Sequence, residues 1–573
     1  MDVNHYSVER NVLLLIALLK ANNIKKVIVS PGATNVNLVA SLQHDEFFSL
    51  YSCVDERSAA YMACGMSAES GEPVVLSCTG ATSSRNYLPG LTEAYYKKLP
   101  ILAVTSSMLT SRVGHLFAQA TDRSNPPSDT VKQSFLIQKI KDSEDEWDCT
   151  IKINQAISLL TLNGGGPVHL NLETCGGNNF SIQSLPLVRR IKRVDVNDEY
   201  PKLINGKIAL FISSHKNFSD KSTHLIERFC EQYNAVVLCD QTSGYKGKYK
   251  ILSALSACQE HGDLSLLEVD LLIHIGEVSG DYYTTGVILP KEVWRISEDG
   301  VFRDRFKKIT YLFNMKVDDF FLCYIKDSLN IINITYYQSF KERDEKIRSL
   351  IPNLPFSNIW IAQNLYKSLP KSSVLHLGIL QPLRAWNFSP IDDSIFSYCN
   401  VGGFGIDGNF STLVGASLVD SSKLYFGVVG DLSFFYDINI IGNRNIGNNI
   451  RLLVVNNGKG VEFRTYKHGA SIFGEDTDKY IAASGHNGNK SNKLVKHISE
   501  DLGYKYISAD DKKTFADCLI DFTSPMINQS IIFEVFTDTK SEYESLKLLR
   551  NIVSDEKFSL ATVKNVVKNI IKK

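Results

Sequence analysis

Short apolar runs bounded by polar residues or glycine alternate along this chain with longer stretches whose apolar positions recur at helical spacing. Residues 9–22 predict a helix and 26–30 a strand, with Pro31-Gly32 opening the next helix. Further strands are predicted at 74–79, 101–106 and 168–172, then at 208–212, 235–239, 271–275, 293–296 and 309–313. A last set falls at 374–377, 425–429, 452–455 and 531–536. Strands alternating with helices predict an α/β fold of three doubly wound parallel-sheet domains, spanning residues 1–185, 186–350 and 351–573. Residues 185–204 carry charges and two prolines without periodicity and read as a linker, while 338–349 read as a charged helical connection. In the tail, Val563, Val566, Val567, Ile570 and Ile571 share one helical face, expected to cover its own domain or a neighbouring subunit.

Composition narrows the class without naming a function. At 573 residues the chain exceeds one core, and 44% hydrophobic with 22% charged residues is an ordinary globular mix. Lys plus Arg equals Asp plus Glu at 62 each, so nothing points to nucleic acid or an anionic membrane as partner. Eleven cysteines include no C-x-x-C pair and no His-Cys cluster, which argues against a zinc site and a disulfide framework and fits a reducing cytoplasm. The run 12–19 lacks a preceding basic region and a following cleavage site, is too short to span a bilayer, and reads as the first buried helix. No membrane span is expected.

Two of the predicted strands end in oxygen ligands. Gly430-Asp431 follows 425–429 and Asn456-Asn457 follows 452–455, at the carboxyl ends where open α/β sheets bind ligands. An aspartate and an asparagine 26 residues apart, brought together by adjacent strands, suit a hard cation such as Mg2+ that shares its shell with phosphate oxygens. Gly430, Gly458 and Gly460 allow close backbone approach to a phosphate. Each half alone also fits an ordinary turn. Nearer the start, Glu56 stands beside a small-residue apolar helix, where an acid favoured by the helix dipole is the plainer reading.

The Gly-Asp…Asn-Asn pattern at this spacing resembles the signature of thiamine diphosphate (ThDP) enzymes. Ser30-Pro31-Gly32, Asp55-Glu56-Arg57-Ser58, Thr79-Gly80-Ala81-Thr82, Asn86 to Gly90 and Gly166-Pro167-Val168-His169 follow one another as in their pyrimidine-binding domain. Asn400, Gly405-Ile406-Asp407-Gly408 and Gly430-Asp431-Leu432-Ser433 resemble the diphosphate domain of one branch, the 2-succinyl-5-enolpyruvyl-6-hydroxy-3-cyclohexene-1-carboxylate (SEPHCHC) synthases of menaquinone biosynthesis. The resemblance covers nearly the whole chain. It implies pyrimidine-binding (1–185), central (186–350) and diphosphate-binding (351–573) domains, and at least a homodimer with shared active sites. It implies that Asp431, the Asn457 side chain and the Lys459 carbonyl hold Mg2+, with Pro31, Gly32, Thr79, Asn86, Gly405, Ile406, Asp407, Gly430, Leu432, Ser433 and Gly460 completing the coenzyme site. Glu56 is then the acid/base at the pyrimidine nitrogen, its pKa tuned by burial, and Gln119 a polar contact at the reacting face.

Ile406 matches an apolar wedge under the coenzyme, and Arg384 a substrate-carboxylate arginine; core packing and an ion pair are the alternatives. The 461–468 loop, with Glu462, Phe463 and Arg464, is expected at the acceptor, unless it is simply a solvated loop. Thr34 and Val401 stand where the synthases have arginines, and Ser106-Ser107-Met108-Leu109 replaces their Ala-Asp-Arg-Pro. Three cations are therefore missing, each worth about 1.5–3 kcal/mol to a substrate carboxylate, unless Arg85, Arg112 or Arg464 substitutes. The reading is a ThDP- and Mg2+-dependent carboligase acting on a 2-oxo acid and an acceptor. Its rivals are a true SEPHCHC synthase, a non-ligating decarboxylase and a silent scaffold.

Overall fold

The computed structural model describes residues 5–326, 332–487, 490–526 and 528–553; the expected tail helix lies outside them. The strands form three sheets with helices between them, and every described ladder is parallel. The chain divides into two compact units. One comprises the described residues up to Tyr200 together with Val293–Met315, and the other comprises Pro201–Glu292 together with those from Lys316 onward.

In the first unit, six strands lie in the order Ser49–Ser52, Lys26–Val29, Val74–Thr79, Ile101–Ser107, Val168–Glu173 and Ser134–Ile137. Central strands buried on both faces need continuous apolar runs, and Ile101–Ser107 is buried at every position. The helix Arg10–Ala21 buries Val12 through Leu19 against one face of this sheet, as expected of the first apolar run. Helices Glu56–Ser70 and Leu88–Tyr96 cover the other face through Ala59, Ala60, Ala63 and Leu91. Small side chains there are a geometric need: a Cβ at Gly90 would overlap Ala60 and its backbone. Residues 293–296, Ile309–Phe313 and Lys192–Val194 form a further parallel ladder. The last of these strands corrects the linker reading of 185–204. It is a three-residue edge strand with the burial order exposed, half-buried, buried, so its charges hide the pairing.

The second unit holds Lys250–Leu252, Val236–Cys239, Ile208–Ile212 and Glu268–Ile275 as one ladder. It also holds a six-stranded sheet in the order Phe396–Cys399, Val374–Leu377, Tyr425–Gly430, Ile450–Asn456, Ile531–Phe536 and Lys505–Ala509. The two strands that end in oxygen ligands are neighbours, paired from Tyr425↔Ile450 to Gly430↔Val455. Gln241 ties the smaller ladder to the short helix Gln381–Trp386: its Nε2 donates to the carbonyls of Trp386 (3.0 Å) and Ser389 (2.7 Å). No described helix is long and apolar enough to cross a membrane.

Because Gly90 lets the Glu56-bearing helix sit against Leu88–Tyr96, Gly90→Ala is expected to overpack this contact and cost about 1–3 kcal/mol. Urea denaturation of the full chain checks it, and an unchanged midpoint would refute the close-packing argument.

Candidate active site

At the carboxyl edge of the first sheet, Asp55 caps the helix Glu56–Ser70 by accepting from Ser58 N–H at 2.7 Å, which sets Glu56 in the first turn. Asn86 Nδ2 donates to the Glu56 carboxylate at 3.1 Å. Burial pushes the Glu56 carboxyl up, but hydrogen bonds from Asn86 and Ser83 outweigh it and hold the group below the usual carboxylate range. In a single chain the Glu56 side chain is half-exposed and hydrogen bonding wins. Nearby, a Cβ at Gly32 would collide with Thr79, and Pro31 is exposed beside it. Ala81, after Thr79-Gly80, takes φ 59°, a conformation that costs an alanine about 1–3 kcal/mol. Leu380 takes φ 73° at the matching strand-to-helix turn of the second unit.

In the second unit, Asp431 begins the helix Asp431–Tyr436 directly after its strand and is 4% exposed. Burial drives its carboxyl up to about 7, against backbone N–H groups of Leu432 and Gly458, with Glu534 adding like charge. The Glu534 carboxylate is already engaged by Asn456 Nδ2 and Tyr506 Oη, both at 2.7 Å. Asn457 Oδ1 is buried without a donor among the described residues. The Lys459 carbonyl accepts from Val461 N–H at 2.8 Å, which leaves its second lone pair. A buried carboxylate held only by backbone N–H groups among the described residues, beside a bare amide oxygen at one sheet edge, fits a divalent cation with oxygen ligands. Among the described residues no cluster of three or more His, Cys, Asp or Glu gathers, so amide and carbonyl oxygens would have to complete such a shell. Ser433 Oγ donates to Ile406 O at 2.6 Å and receives Asn409 Nδ2 at 2.8 Å, which fastens the Gly405–Asn409 turn over this edge. Ile406 packs against the core, and a Cβ at Gly405 would collide with the Asp407 carboxylate. Leu432 is half-buried, and Gly460 N–H donates to Ala482 O at 2.6 Å.

Beside that edge, within the same unit, lies a cleft with about 1300 Å³ of empty space. Arg384 and Glu462, each with a side chain 10% exposed, are ion-paired in its wall, and Gln381 Nε2 donates to the same carboxylate at 2.9 Å. The guanidinium of Arg384 also stacks on Tyr282 at 4.2 Å. Tyr282 and Tyr283 reach the cleft because Asp281, fully buried, caps their turn through Tyr283 N–H at 3.0 Å. Phe463 lines the same cleft, and its ring meets His468 edge-on at 5.4 Å.

Other expected substrate positions are already engaged. Thr34 donates its hydroxyl to Ser106 O at 2.6 Å, and Val401 is 4% exposed and packs in the core beside Gly280. Arg464 pairs with Asp478 at 2.6 Å, and Lys459 Nζ meets the same carboxylate at 2.5 Å. The 461–468 loop is therefore not simply solvated, because Glu462 is buried and Asp478 anchors it. Gln119 lies in an exposed loop at φ 61°, with Arg112 over the Phe117 ring nearby at 5.0 Å. Arg85 donates to the Asp122 carbonyl at 3.2 Å. Tyr282, Tyr283, Asp478 and the buried Arg123 escaped the sequence reading, since nothing in their local pattern marks a site.

Residues 12–125 match the family model described as "Thiamine pyrophosphate enzyme, N-terminal TPP binding domain". The chain is 30% identical over 559 residues to the SEPHCHC synthase of Bacteroides thetaiotaomicron, covering 95% of this chain and 98% of the relative. The corresponding synthase of Bacteroides fragilis is 29% identical over 560 residues, with the same coverage. That of Flavobacterium psychrophilum is 26% identical over 549 residues, covering 92% and 96%.

Removing one member of a buried ion pair strands the other charge, so Glu462→Ala is expected to cost about 3–5 kcal/mol. The double variant Arg384→Met/Glu462→Leu should recover most of that loss. Chemical denaturation of the three proteins checks it, and a single variant as stable as the parent would show the pair to be idle.

Proposed function

The chain belongs to the SEPHCHC synthase family of thiamine diphosphate-dependent enzymes, and on that premise we propose that it decarboxylates a 2-oxo acid and transfers the resulting acyl-anion equivalent to an acceptor. The enzyme depends on ThDP and Mg2+. When bound, ThDP supplies the nucleophilic ring carbon and the electron sink that decarboxylation requires.

The observation that carries the reading is the buried Asp431 carboxylate beside the donorless Asn457 oxygen. In this reading these two groups, with the Lys459 carbonyl, hold Mg2+ and through it the diphosphate, while Ile406 and the Gly405–Asn409 turn support the coenzyme. Pro31, Gly32, Thr79 and Asn86 line its pyrimidine half. Glu56 holds a proton at the pyrimidine nitrogen, and a covering neighbour is needed to raise its pKa above the single-chain position. That neighbour is a second copy of the chain, so that the 1–185 domain of one subunit and the 351–573 domain of another serve one coenzyme. The central 186–350 domain contributes Tyr282 and Tyr283 to the acceptor cleft, where Arg384, on exchanging Glu462 for the ligand, grips a carboxylate and Phe463 packs on the acceptor. Gln119 acts at the reacting face. A cytoplasmic setting completes the picture.

A second reading, the relatives' own SEPHCHC synthase reaction, is favoured by coverage of the relatives from end to end. It requires other cations to replace those missing at Thr34, Val401 and Met108. Assay of isochorismate with 2-oxoglutarate, beside a panel of 2-oxo acids and acceptors followed by mass spectrometry, separates the two. Product from that pair alone would select the synthase, and aldehyde accumulating without acceptor would select a plain decarboxylase.

Glu56→Gln is expected to abolish turnover while ThDP still binds; retained turnover would remove Glu56 from the mechanism. Asp431→Ala is expected to weaken Mg2+-dependent ThDP binding, and calorimetry giving the parent affinity would overturn the ligand assignment.

A further inference from the structure

Arg123 is only 9% exposed, yet its guanidinium is largely unpaired. Nη2 donates to Asn171 Oδ1, while Nε and Nη1 have no acceptor among the described residues. A buried guanidinium whose donors face no acceptor has lost water without compensation, which marks a place for an anion. Its location is specific. Nη1 occupies the space where a Cβ on Gly80 would stand, next to Ser106 O, so Arg123 lies at the carboxyl edge of the first sheet with Thr79 and Thr34.

Two hollows meet at this side chain. One, with about 500 Å³ of empty space, is walled by Tyr87, Thr105 and His169; the other, with about 960 Å³, by Ser107, Thr121 and Asn171. In the second hollow Thr121 Oγ1 is also buried without a partner. His169 adds no charge. Both its ring nitrogens meet hydroxyls, Thr105 and Ser134 at 2.7 Å each, and burial with Arg123 nearby pushes its pKa down to about 3. Asp122, the adjacent carboxylate, is exposed and accepts from Ser124 N–H and Oγ at 2.9 and 2.6 Å.

We infer that Arg123, assisted by the Thr121 hydroxyl, is a carboxylate-binding residue. One guanidinium and one hydroxyl match a singly charged carboxylate better than a phosphate dianion. That the carboxylate belongs to the 2-oxo acid or its acceptor rests on the proposed reaction; the anion site itself does not. On that reading Arg123 restores a cation near Met108, where the resemblance leads one to expect an arginine.

Calorimetric titration of the full chain with succinate, acetate and inorganic phosphate tests the site without turnover. Arg123→Gln is expected to weaken succinate binding at least about tenfold, Arg123→Lys less, and Thr121→Val a few fold. Equal succinate affinity in the parent and Arg123→Gln, no carboxylate binding by the parent, or tighter binding of phosphate than of succinate would each overturn the assignment. A purely structural arginine would instead lower the denaturation midpoint and leave anion affinity unmoved. For the source of the carboxylate, a raised KM for the 2-oxo acid in Arg123→Lys with kcat little changed supports the substrate. An unchanged KM with lost succinate binding supports the same site filled by an effector. Succinate binding in a parent that shows no ThDP-dependent turnover would sink the proposed function while leaving the site standing.

Discussion

A carboxylate buried at the end of a central strand governs the carboxyl edge of the second unit's six-stranded sheet. Asp431 is buried because its strand is covered on both faces and its helix begins at once, so among the described residues backbone N–H groups are its close compensation. Asn457 brings an oxygen with no donor to the same edge, and Glu534, the next carboxylate, is spoken for by Asn456 and Tyr506. Such an arrangement is costly by itself and becomes favourable when a hard divalent cation arrives. The Gly405–Asn409 turn, held by Ser433, and the chain leaving at Asn457 are arranged around that need.

The basic residues near the cleft are distributed differently. Arg384 is committed to Glu462, Lys459 and Arg464 to Asp478, and Lys467 and Arg550 to Glu260. These pairs let long cationic side chains stand in a partly dry wall, where five cations share three carboxylates beside the aromatic faces of Tyr282, Tyr283 and Phe463. In the first unit Arg123 keeps its charge without such a partner. The cleft thus presents aromatic surface and cations already engaged by carboxylates.

Strand prediction succeeded where a strand is buried on both faces and failed at the margins. The unforeseen strands Ser49–Ser52, Ser134–Ile137, Lys192–Val194, Lys250–Leu252, Phe396–Cys399 and Lys505–Ala509 each lie at an edge of their ladder. An edge strand needs only one packed side and one bonded neighbour, so its sequence retains the charges and hydroxyls of a loop. Ser49–Ser52, mostly exposed, carries no apolar run to detect.

By itself the sequence determined the three-sheet α/β plan and the placing of Asp431 and Asn457 just past the ends of two strands, because strand cores and strand ends are properties of contiguous residues. It also located Glu56 at a helix start, for the same local reason. Only the tertiary structure decided that Arg384 would be neutralised by a residue 78 positions away, that Tyr282 would join it, and that Arg123 would be buried without an acceptor. Those outcomes depend on which long side chains meet after the sheets have packed, and no local pattern of residues encodes a meeting of that kind.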